Sequence, residues 1–161
     1  MTQKNPVFSM LLCLLLFSAF IIPLYPLEPN KKISQFVHHS WDHRLLPQAS
    51  ITAIVQAPDG YLWLGTEEGL VRFDGVKFTT FDTSNIENLG SNFITALYCQ
   101  DNKYLWIGTY GGGLSRMEFT TRKMTRFKDE FNIMEDRVLV LYRDTGNTLW
   151  AGTEKGIKQV R

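Results

Sequence analysis

The sequence has few cysteines and almost no net charge, and these two shortages exclude several classes of site. Only two cysteines occur, and Cys13 lies in an apolar run near the amino terminus, so Cys99 has no partner for an internal disulfide bond. The Cys/His spacings that are typical of zinc sites are absent, and we expect no metal and no cofactor. The formal net charge of +1 does not provide the basic surface that binding to nucleic acid requires.

Long apolar runs are also absent, with one exception near the amino terminus. Residues 7–22 carry no charge, follow Lys4, and are succeeded by prolines at positions 23, 26 and 29. This run is shorter than the about 20 residues of a membrane-spanning helix, and it fits the apolar core of a signal peptide. Because no clear small-residue cleavage motif follows it, an uncleaved anchor that extends through residue 25 stays open. We therefore predict that residues 1–32 are a signal peptide or an N-terminal membrane anchor.

This leader determines where we expect the rest of the chain to be. Whether the leader is a cleaved signal peptide or an uncleaved anchor, export places residues 33–161 in the periplasm or at the extracytoplasmic face of the inner membrane. The chain then contacts the membrane through residues 7–25 alone, and only if the leader is uncleaved.

A phrase of ten or eleven residues that occurs three times dominates what the sequence does contain. It reads YLWLGTEEGL, then YLWIGTYGGGL and finally TLWAGTEKGI, and its tryptophans, Trp63, Trp106 and Trp150, are 43 and 44 residues apart. The flanking segments ITAI, ITAL and VLVL repeat in the same phase. A period in the low forties that contains several short strands is typical of a β-propeller.

Each repeat predicts four antiparallel strands joined by turns that contain glycine. The repeats lie near residues 51–93, 94–137 and 138–161, and the third provides only three strands. A fragment of an outer strand around Phe36 precedes them, which indicates a closing blade built from both ends of a ring. We therefore predict an all-β fold over residues 33–161: β-propeller repeats with four-stranded antiparallel blades in an incomplete ring, about two full blades plus partial ones.

The second strand of each repeat has a pattern of period two. In LWLGT, Leu62 and Leu64 share one face of the strand and Trp63 takes the other, so we expect both faces to pack against neighbouring sheets. The glycine permits a close approach of a neighbouring segment, and the tryptophan is interpreted as a core residue rather than a platform for sugars. The structural repeat positions are Trp63, Gly65, Thr66, Trp106, Gly108, Thr109, Trp150, Gly152 and Thr153.

Two stretches of the repeats resemble a known family. DGYLWLGTEEGLVRFDGVKF at Asp59–Phe78 and YLWIGTYGGGLSR at Tyr104–Arg116 are similar to the two-component-regulator propeller family, the extracytoplasmic sensor propellers of bacterial histidine kinase and diguanylate cyclase receptors. In that family many such repeats build one or two large propellers. A β-sandwich module, a membrane helix and a cytoplasmic output domain follow them. The resemblance implies that this chain is an N-terminal fragment without the output domain, so we expect no enzyme activity from it.

The resemblance implies a function in ligand recognition or dimerisation for bacterial transmembrane signalling. We expect a small-molecule or carbohydrate ligand, but the sequence assigns no ligand-binding and no catalytic residue. The alternative is a non-enzymatic interaction module that self-assembles, as a homodimer or as a completed ring. A third and less favoured hypothesis is a periplasmic hydrolase or lyase that uses His38, His39 or His43 beside Asp42. These histidines lie in a link of variable length, where a surface or packing role is favoured over a role as metal ligands.

Overall fold

The computed structural model of the 161-residue chain describes its repeat region in most detail. The chain divides into two compact units, residues 1–39 and 40–161, and every described residue belongs to the second. The described residues are 40–41, 50–127, 133 and 136–160.

Several of the sequence-based predictions lie outside the described residues. They are the leader at residues 1–32, the strand fragment around Phe36, and the cluster of His38, His39, Asp42 and His43. Each of these stays a prediction.

All regular secondary structure of the described residues is β-strand, arranged in three antiparallel sheets that are not joined to one another as a barrel. The strands of each sheet pair in the order in which they occur in the chain. Blade 1 consists of β1 (Ile51–Gln56), β2 (Leu62–Thr66), β3 (Leu70–Phe73) and β4 (Phe78–Phe81). Blade 2 consists of β5 (Ile94–Gln100), β6 (Tyr104–Thr109), β7 (Gly113–Glu118) and β8 (Met124–Arg126). Blade 3 consists of β9 (Val138–Arg143), β10 (Leu149–Thr153) and β11 (Gly156–Val160). The predicted all-β fold with four-stranded antiparallel blades is confirmed.

Short polar turns join the strands within a blade, and the turn between β3 and β4 shows how the sequence closes them. The carboxylate of Asp74 accepts hydrogen bonds from the backbone N–H groups of Val76, at 2.9 Å, and Lys77, at 2.6 Å. These bonds, Lys77 first and then Val76, hold the pKa of Asp74 below its usual value because they stabilise the charged carboxylate. The side chain thus replaces backbone partners that the turn cannot supply.

The threonine of the repeated phrase closes the turn between the second and third strands of each blade. The hydroxyl of Thr66 donates to the carbonyl of Gly69 at 2.8 Å and accepts from the Gly69 N–H at 3.0 Å. Because this threonine is buried, its hydroxyl satisfies backbone groups that water does not reach, and a valine would leave those groups without this partner. The same bond to a glycine carbonyl recurs at 2.9 Å for Thr109 with Gly113 and at 3.0 Å for Thr153 with Gly156.

The blades approach one another most closely through their first strands. Strand β5 contacts β1 of the preceding blade and β9 of the following one, and it also contacts β2. The fourth strands lie at the opposite edges of their sheets. The first strands β1, β5 and β9 therefore form the inner side of the stack, as in a propeller whose innermost strands surround an axis.

Two hydrophobic cores lie in the seams between the blades. In the seam of blades 1 and 2, Trp63 and Leu70 pack with Ile94, Leu105 and Ile107. We call the side of a blade that carries the tryptophan its tryptophan face and the opposite side its leucine face. Each fully buried large side chain contributes roughly 1.5–3 kcal/mol to folding, so the seams rather than the isolated sheets provide the stability.

The seam of blades 2 and 3 has the same construction. The tryptophan face of blade 2, with Trp106 and Leu114, packs against Val138, Leu149 and Ala151 of blade 3. The period-two pattern of LWLGT is therefore visible as two sides of one sheet that serve two different seams.

Candidate functional site

The repeated glycine of each phrase makes room for the first residue of the next blade. A Cβ atom on Gly65 would lie 2.9 Å from Cγ2 of Ile94, and one on Gly108 would lie 2.6 Å from Cγ1 of Val138. Both distances are shorter than a van der Waals contact between carbon atoms. Gly65 and Gly108 therefore form notches into which the following blade inserts a β-branched side chain.

A threonine on each of the first two inner strands fixes the next blade at the same place. The hydroxyl of Thr52 donates to the carbonyl of Ile94 at 2.7 Å, and the hydroxyl of Thr95 donates to the carbonyl of Val138. Both threonines lie at irregularities in the pairing of the first and second strands, where one extra residue bulges from the ladder. The bulge turns the hydroxyl out of its own sheet and toward the next one.

Blade 3 carries different residues at both positions. Leu139 stands at the bulge, in the place of Thr52 and Thr95, and its side chain is 53% exposed. The notch at Gly152 is filled from within the blade, because a Cβ atom there would lie 2.6 Å from Cγ1 of Val140. The tryptophan face of blade 3 therefore lacks the two features that position the following strand in the other seams.

The tryptophan face of blade 3 is uncovered in the described part of the chain. It forms an apolar groove of about 430 Å³ that includes Val140, Tyr142, Trp150 and Ile157. Tyr142 and Ile157 are 62% and 72% exposed, and Trp150 is half-buried, whereas Trp63 and Trp106 are buried. An exposed apolar area of this kind marks an interaction surface.

The leucine face of blade 1 is the other end of the stack. It forms a groove of about 210 Å³ whose lining includes Ile54, Leu64 and Phe73. Trp41 packs edge-on against Phe73 with the ring centroids 5.0 Å apart, and Ile54 is 63% exposed. The described stack therefore ends on one tryptophan face and one leucine face, the two kinds of surface that each internal seam brings together.

A chain of stacked side chains crosses the seam of blades 2 and 3 at the end where the first strands begin. The rings of Phe93 and Tyr110 are nearly parallel, with centroids 5.1 Å apart. The guanidinium carbon of Arg137 lies 3.6 Å from the centroid of Tyr110, and Arg137 Nη1 lies 2.5 Å from Glu154 Oε1. Ser50 and Glu67 occupy the corresponding positions of blade 1. Fixed positions on this rim thus carry different chemistry in each blade, as expected for a recognition surface on a repeat scaffold.

A buried carboxylate ties the link that precedes blade 3 to its last described strand. Asp136 Oδ1 lies 2.6 Å from Lys155 Nζ and Oδ2 lies 2.9 Å from Lys158 Nζ, and the carboxylate side chain is 1% exposed. Hydrogen bonds from Lys155 and then Lys158 hold the pKa of Asp136 below its usual value, although burial acts in the opposite direction. The corresponding residue of the preceding repeat is the neutral Asn92, which accepts a hydrogen bond from the N–H of Thr83 at 2.8 Å.

The remaining chemistry of the described residues is limited. No group of three or more His, Cys, Asp or Glu side chains that could hold a metal ion occurs among them. Burial raises the pKa of the Cys99 thiol, so this cysteine is not activated as a nucleophile. No helix among the described residues is long and apolar enough to cross a membrane.

The sequence-based reasoning missed the residues that lock the blades together. Thr52 and Thr95 were visible as the second letter of ITAI and ITAL, and Leu139 as the change to VLVL. The signal that marks Thr52 and Thr95 in the sequence is a polar residue at the same position of an otherwise apolar strand in successive repeats. Its meaning depends on a carbonyl in the next blade, which a pattern within one repeat does not reveal.

Three sheets stacked through alternating faces define the class of this protein as a segment of a β-propeller. The sequence model of the family described as "Two component regulator propeller" matches residues 45–68 and 88–111. Each match covers the first and second strands of one blade, blades 1 and 2. The chain therefore carries repeats of the two component regulator propeller type, and the resemblance seen in the sequence is confirmed. A comparison with curated proteins finds no match.

Solved structures show the same fold. An extracellular domain assigned to a hybrid two component system of B. thetaiotaomicron is 26% identical over 72% of this chain, with a TM-score of 0.61. An extracellular domain assigned to a one component system of the same organism is 23% identical over 68%, with a TM-score of 0.56. PorZ, a surface component of the type-IX secretion system of Porphyromonas gingivalis, is 16% identical over 70%, with a TM-score of 0.50. These last two show the fold alone. The chain spans 16%, 16% and 17% of the three structures, respectively.

Proposed function

We propose that this chain is the N-terminal part of an extracytoplasmic sensor propeller that serves ligand recognition or dimerisation in bacterial transmembrane signalling. The observation that carries the proposal is the coincidence of both family matches with the inner two strands of blades 1 and 2. The 26% identity to an extracellular domain assigned to a hybrid two component system supports the same class of protein. In this role the chain binds rather than catalyses, in the periplasm or at the extracytoplasmic face of the inner membrane.

The seams support a role as part of a larger stack of blades. A blade buries its faces only against its neighbours, so the tryptophan face of blade 3 is half of a seam. Ligands of such a stack are expected on the rim and along the inner strands, where side chains from several blades converge. The output domain of the receptor, in this proposal a histidine kinase or a diguanylate cyclase, belongs to the part of the receptor beyond these blades.

The test is a measurement of receptor output. The complete receptor that contains these blades would be placed in vesicles, and its kinase or cyclase activity measured with extracellular extracts and after enforced dimerisation. We expect the activity to change in at least one of these conditions. Gly108→Val should abolish the response because its side chain would collide with Val138 in the seam. Val76→Ala, at a side chain that is 89% exposed, is the matched control and should respond normally.

An output that stays constant with all extracts and after enforced dimerisation would contradict the sensor proposal. So would a normal response of the Gly108→Val receptor, because the blades would then have no part in it.

A self-assembling interaction module is the second candidate, and one observation favours it. The described stack ends on complementary surfaces, the tryptophan face of blade 3 and the leucine face of blade 1. Copies of the chain joined head to tail would pair these faces, which is a heterologous contact that forms a ring if it closes. Light scattering of the purified chain tests this, and a monomer at micromolar concentration would rule it out. Trp150→Arg should reduce any assembly that does form.

A further inference from the structure

A polar groove on the tryptophan face of blade 2 is lined by side chains from three neighbouring strands. Its volume is about 90 Å³. The register pairs Tyr104 with Glu118, and it places Arg116 between Trp106 and Thr125. These side chains therefore project from the same side of the sheet. We call this site the outer groove, and its lining residues are Tyr104, Arg116, Glu118, Lys123 and Thr125.

Arg116 is held in the outer groove by aromatic rings. Its guanidinium carbon lies 4.3 Å from the ring centroid of Tyr104, 5.4 Å from that of Trp106 and 5.5 Å from that of Phe127. Such contacts stabilise the positive charge but leave the N–H donors in the plane of the group unsatisfied. Among the residues that the structure describes, no acceptor or ion-pair partner of this guanidinium is found. Its position is therefore fixed, while no described side chain or carbonyl takes up its hydrogen-bonding capacity.

Other cations surround the same groove. Lys123 is part of its lining, and Nζ of Lys103 lies 5.0 Å from the ring centroid of Tyr104. Among the described residues of the lining, Glu118 is the only acidic one, and its Oε2 accepts a hydrogen bond from the hydroxyl of Thr121 at 2.8 Å. The described side chains at the outer groove, three cations and one carboxylate, carry a net positive charge, although the whole chain is nearly neutral.

Blade 1 carries the same residue types in the same register, and it shows what a following blade does to the arginine. Arg72 pairs with Trp63 and Thr79, and its guanidinium carbon lies 4.8 Å from the centroid of Tyr61. Blade 2 covers this face and brings Arg122, whose guanidinium carbon lies 5.6 Å from the Trp63 centroid. Even so, Nε of Arg72 is buried without a hydrogen-bond partner in the described residues.

This comparison separates two explanations for the lack of a described acceptor at Arg116: the arginine awaits packing against further strands, or it binds a ligand. Blade 3 already covers the inner part of the Arg116 face with three described strands, whereas Arg72 faces the four-stranded blade 2. If Arg116 simply awaited a fourth strand of blade 3, its counterpart Arg72 would have gained an acceptor from blade 2. Blade 2 instead contributes another cation, so packing of a following blade does not neutralise the position. Blade 3 has lost the pattern, because Gln159 faces Trp150 in the place of the arginine.

We propose that the outer groove binds an oxyanionic group, a carboxylate or a sulfate, carried by an extracellular ligand. A guanidinium presents two parallel N–H donors that match two oxygens of such a group. Lys123 and the hydroxyls of Tyr104 and Thr125 provide further donors within the same lining. The groove of about 90 Å³ has room for a group of the size of a carboxylate or a sulfate. The proposal names the ligand class of the sensor and in that respect rests on the proposed function.

The experiment measures binding to the full chain directly. The chain is labelled with nitrogen-15 and titrated at constant ionic strength with inorganic sulfate, methyl glucuronide and methyl glucoside. The readout is the Nε–H signal of Arg116, which is identified by its loss in Arg116→Lys. We expect sulfate and the glucuronide to shift this signal and the uncharged glucoside to leave it unchanged.

Two variants and a matched control locate the site. Lys123→Gln should weaken glucuronide binding at least about fivefold, and Arg116→Lys about tenfold, because each removes a charge-assisted hydrogen bond. Lys77→Gln makes the same change at the corresponding turn of blade 1, whose face meets the four-stranded blade 2 rather than the three described strands of blade 3, and should bind like the parent chain. Equal weakening by Lys77→Gln would show unspecific charge attraction and overturn the proposal.

The remaining outcomes also decide the proposal. No shift with any of the three probes at millimolar concentration would overturn it, as would equal binding of the glucoside. Binding of sulfate but not of the glucuronide would overturn the proposal that the anionic group belongs to a larger ligand, because the groove would then be a site for inorganic anions. Failure of the proposed sensor function gives a different result. A receptor that binds the glucuronide in this groove without any change in output would contradict the sensor function, whereas the proposed anion-binding site would stand.

Discussion

Trp63 and Trp150 occupy the same place in the repeated phrase, yet Trp63 is fully buried and Trp150 is half-buried. The difference lies in the neighbour that each tryptophan face meets. Blade 2 inserts Ile94 into the notch at Gly65, and the carbonyl of Ile94 accepts a hydrogen bond from the hydroxyl of Thr52. No described strand meets the corresponding surface of blade 3. The repeated phrase therefore supplies one packing surface of a seam, and the start of the next repeat supplies the other.

The first residues of the inner strands show the same asymmetry from the opposite side. Ile94 and Val138 follow a blade and are fully buried, while Ile51 begins the first described blade and is 41% exposed. All three are β-branched and head equivalent strands. Burial at these positions is thus a property of the seam and not of the strand, as expected for a repeat stack with nearest-neighbour stabilisation.

The largest expected effect is the loss of a tryptophan from a covered face. Trp106→Ala removes a side chain buried between blades 2 and 3, and we expect it to lower the free energy of unfolding by about 3–5 kcal/mol. Trp150→Ala should cost less than about 2 kcal/mol, because part of that ring is already in water. Urea unfolding of both variants checks the difference, and equal losses would contradict the account of the third face.

The two glycine notches should differ in the same sense. Gly108→Ala places a Cβ against Val138, which is fixed in the seam, and we expect a loss of about 1–3 kcal/mol in the free energy of unfolding. Gly152→Ala meets Val140, which is 54% exposed and can turn into solvent, so a loss below about 1 kcal/mol is expected. A thermal unfolding series of the two variants tests this. A greater loss at position 152 would show that its notch is filled rigidly.

The threonine hydrogen bond between blades should contribute less to the free energy of unfolding than the glycine notch. Thr95→Val removes the hydrogen bond to the carbonyl of Val138, and we expect a loss of about 1 kcal/mol in the free energy of unfolding. Leu139→Thr restores threonine where no described strand accepts its hydrogen bond, and it should leave stability nearly unchanged. Both are measured by urea unfolding. A clear stabilisation by Leu139→Thr would mean that an acceptor lies beside the third face.

Acid should distinguish the links that precede blades 2 and 3, with the smallest effect on stability. The pKa of Asp136 is lowered in the folded chain, so its stabilising contribution is present above the unfolded value of about 3.9 and is lost as the pH falls below it. We expect the melting temperature of the parent chain to fall more than that of Asp136→Asn between pH 5 and pH 3. The link that precedes blade 2 has the neutral Asn92 at this position, and Asn92→Ala should not change the pH dependence.

The sequence predicted the strands well because their signals are local. Alternation in LWLGT and glycine in the turns depend on a few adjacent residues, and the repetition of both at a period of 43 and 44 fixed the fold class. The sites depend on contacts between repeats. Thr52 finds its acceptor 42 residues away, and the rim pair of Tyr110 and Arg137 spans two blades. Arg116 was not recognised for a different reason. An arginine opposite a tryptophan resembles ordinary surface pairing until the absence of an acceptor among the described residues is seen.

The central claim is that no described strand covers the tryptophan face of blade 3, whereas described strands cover the tryptophan faces of blades 1 and 2. Fluorine NMR of the full chain labelled with 5-fluorotryptophan tests it most directly, with signals assigned by single Trp→Phe variants. A soluble paramagnetic chelate would broaden each signal according to its exposure. The account predicts strong broadening for Trp150 and protection of Trp63 and Trp106. Equal protection of all three would contradict it, because the third face would then be covered.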